Sequence, residues 1–196
     1  AMLNARQLDL AVLFDLPTEA GPLAQSGRRW HVQPLMDEDI FFIAARQSTQ
    51  SRAPATLRMA QLKEAALILP TGPHGLRSTL DAAFLRAKVK TMVALEVDSL
   101  AMLMDAVRAG MGATLQPWSA VARQTDAAQD LYMARITDHQ VKRSNALCSL
   151  SDDELSPAAL AARVVLGDCV RALVGSGAWV GAALSEDSTG QALGKS

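Results

Sequence analysis

The chain carries no field of charge of one sign. Its 19 Lys and Arg stand against 20 Asp and Glu, and the basic clusters are no larger than Arg28-Arg29 and Lys142-Arg143. A nucleic-acid-binding domain ordinarily shows a basic patch, so DNA contact by this chain is not expected. Cysteine is scarce as well. Cys148 and Cys169 are too few and too far apart for a metal cluster or a disulfide framework, and they read as buried thiols of a cytoplasmic protein. No apolar run approaches the ~20 residues that a membrane span needs. No basic segment opens the chain in the manner of a signal peptide. The three histidines, His31, His74 and His139, are scattered, no catalytic constellation is visible, and no internal repeat is found. No cofactor and no metal are implied, and an enzyme is not expected.

What remains is a chain of 196 residues, 49% apolar and 20% charged, the balance of a soluble globular protein. That length buries a core as one domain or two small lobes. Met2, behind a lone Ala1, is read as the native start.

The most informative stretch is Ala65 to Ala87. A short apolar run leads into a loop, Pro70-Thr71-Gly72-Pro73-His74-Gly75, and then into an amphipathic segment. Leu76, Leu80, Ala83, Phe84 and Ala87 line one helical face of that segment. Strand, glycine-bearing loop and helix make the half-unit of an open α/β sheet, whose ligands sit outside the carboxyl ends of the strands. The loop also sets backbone N–H groups at a helix start, which favours anions. The lysine of a phosphate-binding loop and the three-glycine spacing of a dinucleotide turn are both missing, so a nucleotide is not indicated.

Elsewhere, Leu8 to Phe14 reads as a strand buried on both faces. Trp30 to Leu35 and Asp39 to Ala45 read as two separate extended runs, and Leu57 to Lys63 as a short helix. Thr91 to Val97 is a strand, followed by a helix that Asp98 or Ser99 caps and Gly110 ends. Ala113 to Leu115 is the next strand. Arg123 to Asp138 reads as a loop or short helix entering an edge strand, and Lys142 to Leu150 as extended. Ser156-Pro157 starts a helix running to about Val174, with Leu160, Val164 and Val170 inward. Met102, Met104 and Met111 read as core filler. Two successive strand–helix units point to a parallel, right-handed winding.

Four segments in order carry a family resemblance: LDLAVLF at Leu8 to Phe14, VQPLMDEDIFFIAAR at Val32 to Arg46, LILPTGPHGLRSTLDAAF at Leu67 to Phe84, and EVDSLAMLMDAVRAGMGATLQP at Glu96 to Pro117. Together they resemble the effector-binding domain of LysR-type transcriptional regulators. PTGPHGLR is similar to the subgroup of nitrogen assimilation control and aromatic sulfonate regulators. The resemblance covers roughly Leu3 to Val174. It implies an α/β, periplasmic-binding-protein-like (type 2) two-lobe fold, a small effector in the inter-lobe cleft, and a homodimer. Family members begin with a helix-turn-helix and a linker helix. The chain enters just before LDLAVLF, so the first lobe is expected to be incomplete. Gln47-Ser48-Thr49 replaces the family's His-Pro-Leu, and Gln116 stands where an aliphatic residue is common.

The expected division places residues 1–34 and 145–184 in a partial first lobe, 35–144 in a second lobe, and 185–196 in a polar tail. Candidate effector contacts are Thr71, Gly72, Pro73, His74 and Gly75 in the loop. Asp98 and Ser99 lie at the next strand end, and Phe14 and Asp15 at the end of the first strand. Each has a plainer reading: Thr71 as a turn residue, His74 as a brace of the loop, Asp98-Ser99 as a helix cap. Arg77 reads as an exposed partner of Asp81 rather than an anion clamp. The expected ligand is a small organic anion, a carboxylate or sulfonate. An uncovered apolar edge at Leu8 to Phe14 would also favour a homodimer or higher oligomer. The competing classes are an enzyme of dehydratase type on a binding-protein-like fold, and a cytoplasmic solute-binding protein.

Overall fold

The computed structural model describes residues 7–14, 31–46, 53–72, 75–122 and 127–185. They divide into two compact units, Asp39–Arg143 and the stretches Ala1–Glu38 with Ser144–Ser196. The boundary falls inside two strands, β2 (His31–Ala45) and β8 (Lys142–Ser149).

The middle unit is built on β4 (Ala66–Leu69), α1 (Gly75–Ala87), β5 (Met92–Glu96), α2 (Leu100–Arg108) and β6 (Thr114–Pro117). β4 and β5 pair in parallel, as strands joined by a helical crossover must. A parallel bridge joins Leu67 to Ala113, with the Ile68 and Ala113 N–H groups donating to Ala113 O and Ala66 O at 2.8 Å each. Gly112 permits this approach, because a Cβ there would lie 2.8 Å from Ala66 O. β6 runs antiparallel to the second half of β2, whose other edge takes β7 (Leu131–Ile136), and β3 (Thr56–Leu57) adds to β7 in parallel.

Alternation along the strands distributes the core between two helices. Leu67 and Leu69 cluster with Leu80, Ala83 and Phe84 of α1. Ile68, between them, clusters with Leu103, Met104 and Val107 of α2. In β2, Ile40 and Ala44 join the first cluster, while Phe41 and Ile43 join the second. α3 (Ala127–Asp130) is a single turn before β7.

In the other unit, β1 (Leu10–Phe14) runs antiparallel to β8, and β9 (Ala182–Leu184) antiparallel to the first half of β2. α4 (Pro157–Gly175) starts at Ser156, whose Oγ accepts the Ala159 N–H at 3.2 Å. Val170, Val174 and Trp179 pack on Leu35, Met36 and Leu147.

Several local readings change. The runs at Trp30 to Leu35 and Asp39 to Ala45 join into one 15-residue strand over their described part. Asp37 and Glu38 pass through it because distant groups satisfy them. Ser144 Oγ donates to Asp37 at 2.6 Å, while Asn145 Nδ2 and Trp179 Nε1 donate to Glu38 at 3.0 and 2.9 Å. Leu57 to Lys63 is the end of β3 followed by a 3-10 helix, Met59–Leu62. β7 is an interior strand flanked by β2 and β3, with Leu131, Ala134 and Ile136 buried. β1 is not buried on both faces: Val12 and Phe14 are exposed, and among the described residues it pairs with β8 alone. Val164 points outward, and the buried face of α4 runs through Ala159 and Gly167 instead. Of the three methionines, Met104 is core, whereas Met102 and Met111 are exposed. Cys148 is buried, and Cys169 is exposed rather than a core thiol.

Candidate functional site

The carboxyl ends of β4 and β5 bring two of the singled-out residues together. Thr71, just past β4, donates its backbone N–H to Asp98 Oδ1 at 3.0 Å and its hydroxyl to the same oxygen at 2.6 Å. Asp98 follows β5 and precedes Ser99, the N-cap of α2, whose Oγ accepts the Met102 N–H at 3.4 Å. One carboxylate oxygen therefore pins the loop after β4 to the start of α2. Since a hydroxyl has a single proton, Thr71 Oγ1 presents only lone pairs in this arrangement.

Arg77 is the residue that local reasoning undervalued. It does pair with Asp81, with Nε to the two carboxylate oxygens at 2.9 and 3.1 Å. It is not exposed, however: its side chain is 14% accessible, and Nη1 also reaches Glu96 Oε1 at 2.6 Å and Pro70 O at 2.9 Å. The first turn of α1 is thus fastened to the ends of both strands. The bond to Glu96 raises the Arg77 pKa above its ordinary value against the opposing effect of burial, and Asp81 adds to the rise. The i, i+4 spacing to Asp81 was legible in sequence. Glu96 was legible only as a residue near the end of the strand Thr91 to Val97.

Gly72 is exposed, with no atom within 4 Å of the position a Cβ would take, and Gly75 opens α1. The first N–H groups of a helix lack intrahelical acceptors, so the start of α1 retains its donor character. Pro73, His74 and Asp15 lie outside the described residues. Phe14 ends β1 in the other unit and is 49% exposed. Among the described residues no group of three or more His, Cys, Asp or Glu is placed to hold a metal ion. No helix among them is long and apolar enough to cross a membrane.

Parallel strands with helices on alternate core clusters, and loops braced at the strand ends, define an open α/β module. The LysR substrate binding domain model matches residues 1–168, and the chain belongs to that family. It is 31% identical over 164 residues to the nitrogen assimilation regulatory protein nac of Klebsiella aerogenes, covering 84% of this chain and 50% of that one. To the protein of the same name from Escherichia coli K12 it is 30% identical over 170 residues, covering 85% and 52%. The chain thus spans about half the length of these curated relatives.

Among solved structures, the CcmR regulatory domain of Synechocystis PCC6803 in complex with 2-PG matches with a TM-score of 0.71 at 20% identity, covering 87% of this chain and 77% of that one. The effector binding domain of QuiR in complex with shikimate matches at 0.64 and 18% identity, covering 82% and 70%. Full-length CbnR complexed with target DNA matches at 0.67 and 20%, covering 86% and 55%. The α/β, periplasmic-binding-protein-like type 2 fold expected from the sequence is the fold observed.

Proposed function

We propose that this chain is the ligand-sensing part of a LysR-type transcriptional regulator that works in the cytoplasm as a homodimer or higher oligomer. Its effector is a small organic anion, a carboxylate or sulfonate, held at the loop Thr71 to Gly75 with Asp98 and Ser99 beside it. The observation that carries this reading is the double hydrogen bond from Thr71 to Asp98, which preorganises a loop at the carboxyl ends of two parallel strands. The start of α1 supplies N–H donors for the anionic group. The lone pairs of Thr71 Oγ1 suit a hydroxyl on the same ligand. The small molecules named with the CcmR and QuiR domains support an effector of this size class.

Calorimetry against a panel of carboxylates and sulfonates, with and without hydroxyl groups, tests the proposal. Thr71→Val should weaken the best binder by about 1 kcal/mol or more, since a ligand hydroxyl loses its acceptor. An unchanged affinity removes Thr71 from the site, and failure of the whole panel removes the effector class.

A further inference from the structure

A second recess in the middle unit has the makings of a binding site. It is an open cavity of about 490 Å³ bounded by the turn after β3, the last turn of α1 and the segment from Thr137 to Val141. That size falls within the roughly 300–1,000 Å³ of small-molecule pockets. Its floor is apolar: Met59, Ala83 and Val141 are buried side chains of the unit's core, and the half-buried Ala87 lies beside them. Its outer polar groups are cationic or neutral: Arg58, Arg86 and His139 are exposed around it, and Gln140 joins them.

Two of these cations differ from other arginines of the unit. Arg77, Arg108 and Arg135 each pair with a carboxylate. Arg58 and Arg86 have no ion-pair partner among the described residues, and both line this cavity. The one carboxylate in the lining, Asp138, turns Oδ2 to the Met59 N–H at 2.8 Å, which engages it with the wall. Arg86 lies in the last turn of α1, where a cation also offsets the helix carbonyls. That role accounts for Arg86 alone, and leaves Arg58 unexplained.

We propose that this cavity is an auxiliary site for an amphipathic organic anion, with its apolar body against Met59, Ala83 and Val141 and its carboxylate or sulfonate between Arg58 and Arg86. Guanidinium groups suit planar oxyanions through paired N–H donors. The site is separate from the Thr71–Asp98 loops and does not depend on how those are read. Its occupant would lie against the segment that links β7 to β8.

The test is a titration of the whole chain with benzoate followed by ¹H–¹⁵N NMR, with neutral benzamide in parallel. Benzoate should move the amides of Met59, Ala87 and Thr137 to Val141, and benzamide should do so far less. Arg58→Gln and Arg86→Gln alter exposed side chains, and each should weaken benzoate about fivefold or more, the loss of one charge-assisted bond. The proposal is overturned if tens of millimolar benzoate leaves these amides unmoved. It is equally overturned if the shifts confine themselves to Thr71–Leu76 and Asp98–Leu103, if benzamide matches benzoate, or if both variants bind like the parent.

Discussion

Replacing Arg77 with Met asks whether the strand-end brace contributes to stability. The substitution keeps most of the aliphatic stem and removes four polar contacts: one to Glu96 at 2.6 Å, one to Pro70 O at 2.9 Å, and two to Asp81 at 2.9 and 3.1 Å. Both carboxylates are about half exposed, at 47% for Glu96 and 52% for Asp81. Water therefore screens each ion pair, and the i, i+4 pair with Asp81 is worth only about 0.3–0.5 kcal/mol. The contacts to Glu96 and to the Pro70 carbonyl come from a side chain that is only 14% accessible, so each contributes roughly 1 kcal/mol. The expected loss is about 2 kcal/mol, or a fall in Tm of about 4–8 °C for a chain of this length.

The accompanying signature is local. The Val97 N–H, which donates to Leu69 O at 2.9 Å beside the brace, should exchange with solvent faster in the variant. The raised pKa of Arg77 fixes the pH behaviour. Its contribution is complete below the unfolded-state value and lost only as pH rises through the still higher folded-state value. The difference between parent and variant should therefore be flat across the neutral range. A double-mutant cycle with Glu96→Gln isolates the pair. Strict additivity of the two substitutions, or a Tm unchanged in Arg77→Met, would refute the reasoning.

Two further outcomes follow from side chains whose surroundings only the fold specifies. Burial raises the pKa of Cys148, while Cys169 is exposed; iodoacetamide at neutral pH should therefore label Cys169 and spare Cys148 until the chain is unfolded, and mass spectrometry reads which thiol is modified. Arg163 Nη1 lies 2.7 Å from Asp152 Oδ1, and this bond, aided by the Arg163 and His31 charges and opposed by burial, holds the Asp152 carboxyl below its ordinary value. What that pairing adds to stability is present above the unfolded-state pKa and disappears as pH falls through the folded one; Arg163→Gln should return the NMR-titrated midpoint of Asp152 to the ordinary carboxylate range.

The elements from Ala66 to Pro117 were legible in sequence because the signals that make them are local. An apolar run bounded by Pro70 and Gly72, a helical face from Leu76 to Ala87, a cap at Ser99 and a positive-φ glycine at Gly110 act within a few residues of themselves. The same holds for Ser156-Pro157 at the start of α4. Family membership was legible for a related reason: four such segments keep their order along the chain.

Periodicity states that a face is buried but not against what. Whether Val164 or Gly167 lies inward on α4 depended on the strands that arrived beneath it. Whether β7 ended a sheet depended on β3 pairing with its far edge. The continuity of β2 rested on partners 107 and 141 residues from Glu38. At the candidate site, the contacts Thr71–Asp98 and Arg77–Glu96 join residues 27 and 19 apart. Burial and hydrogen bonding between such residues are set by which strands lie side by side. Local pattern therefore determined the elements, and tertiary pairing determined which polar groups meet at their ends.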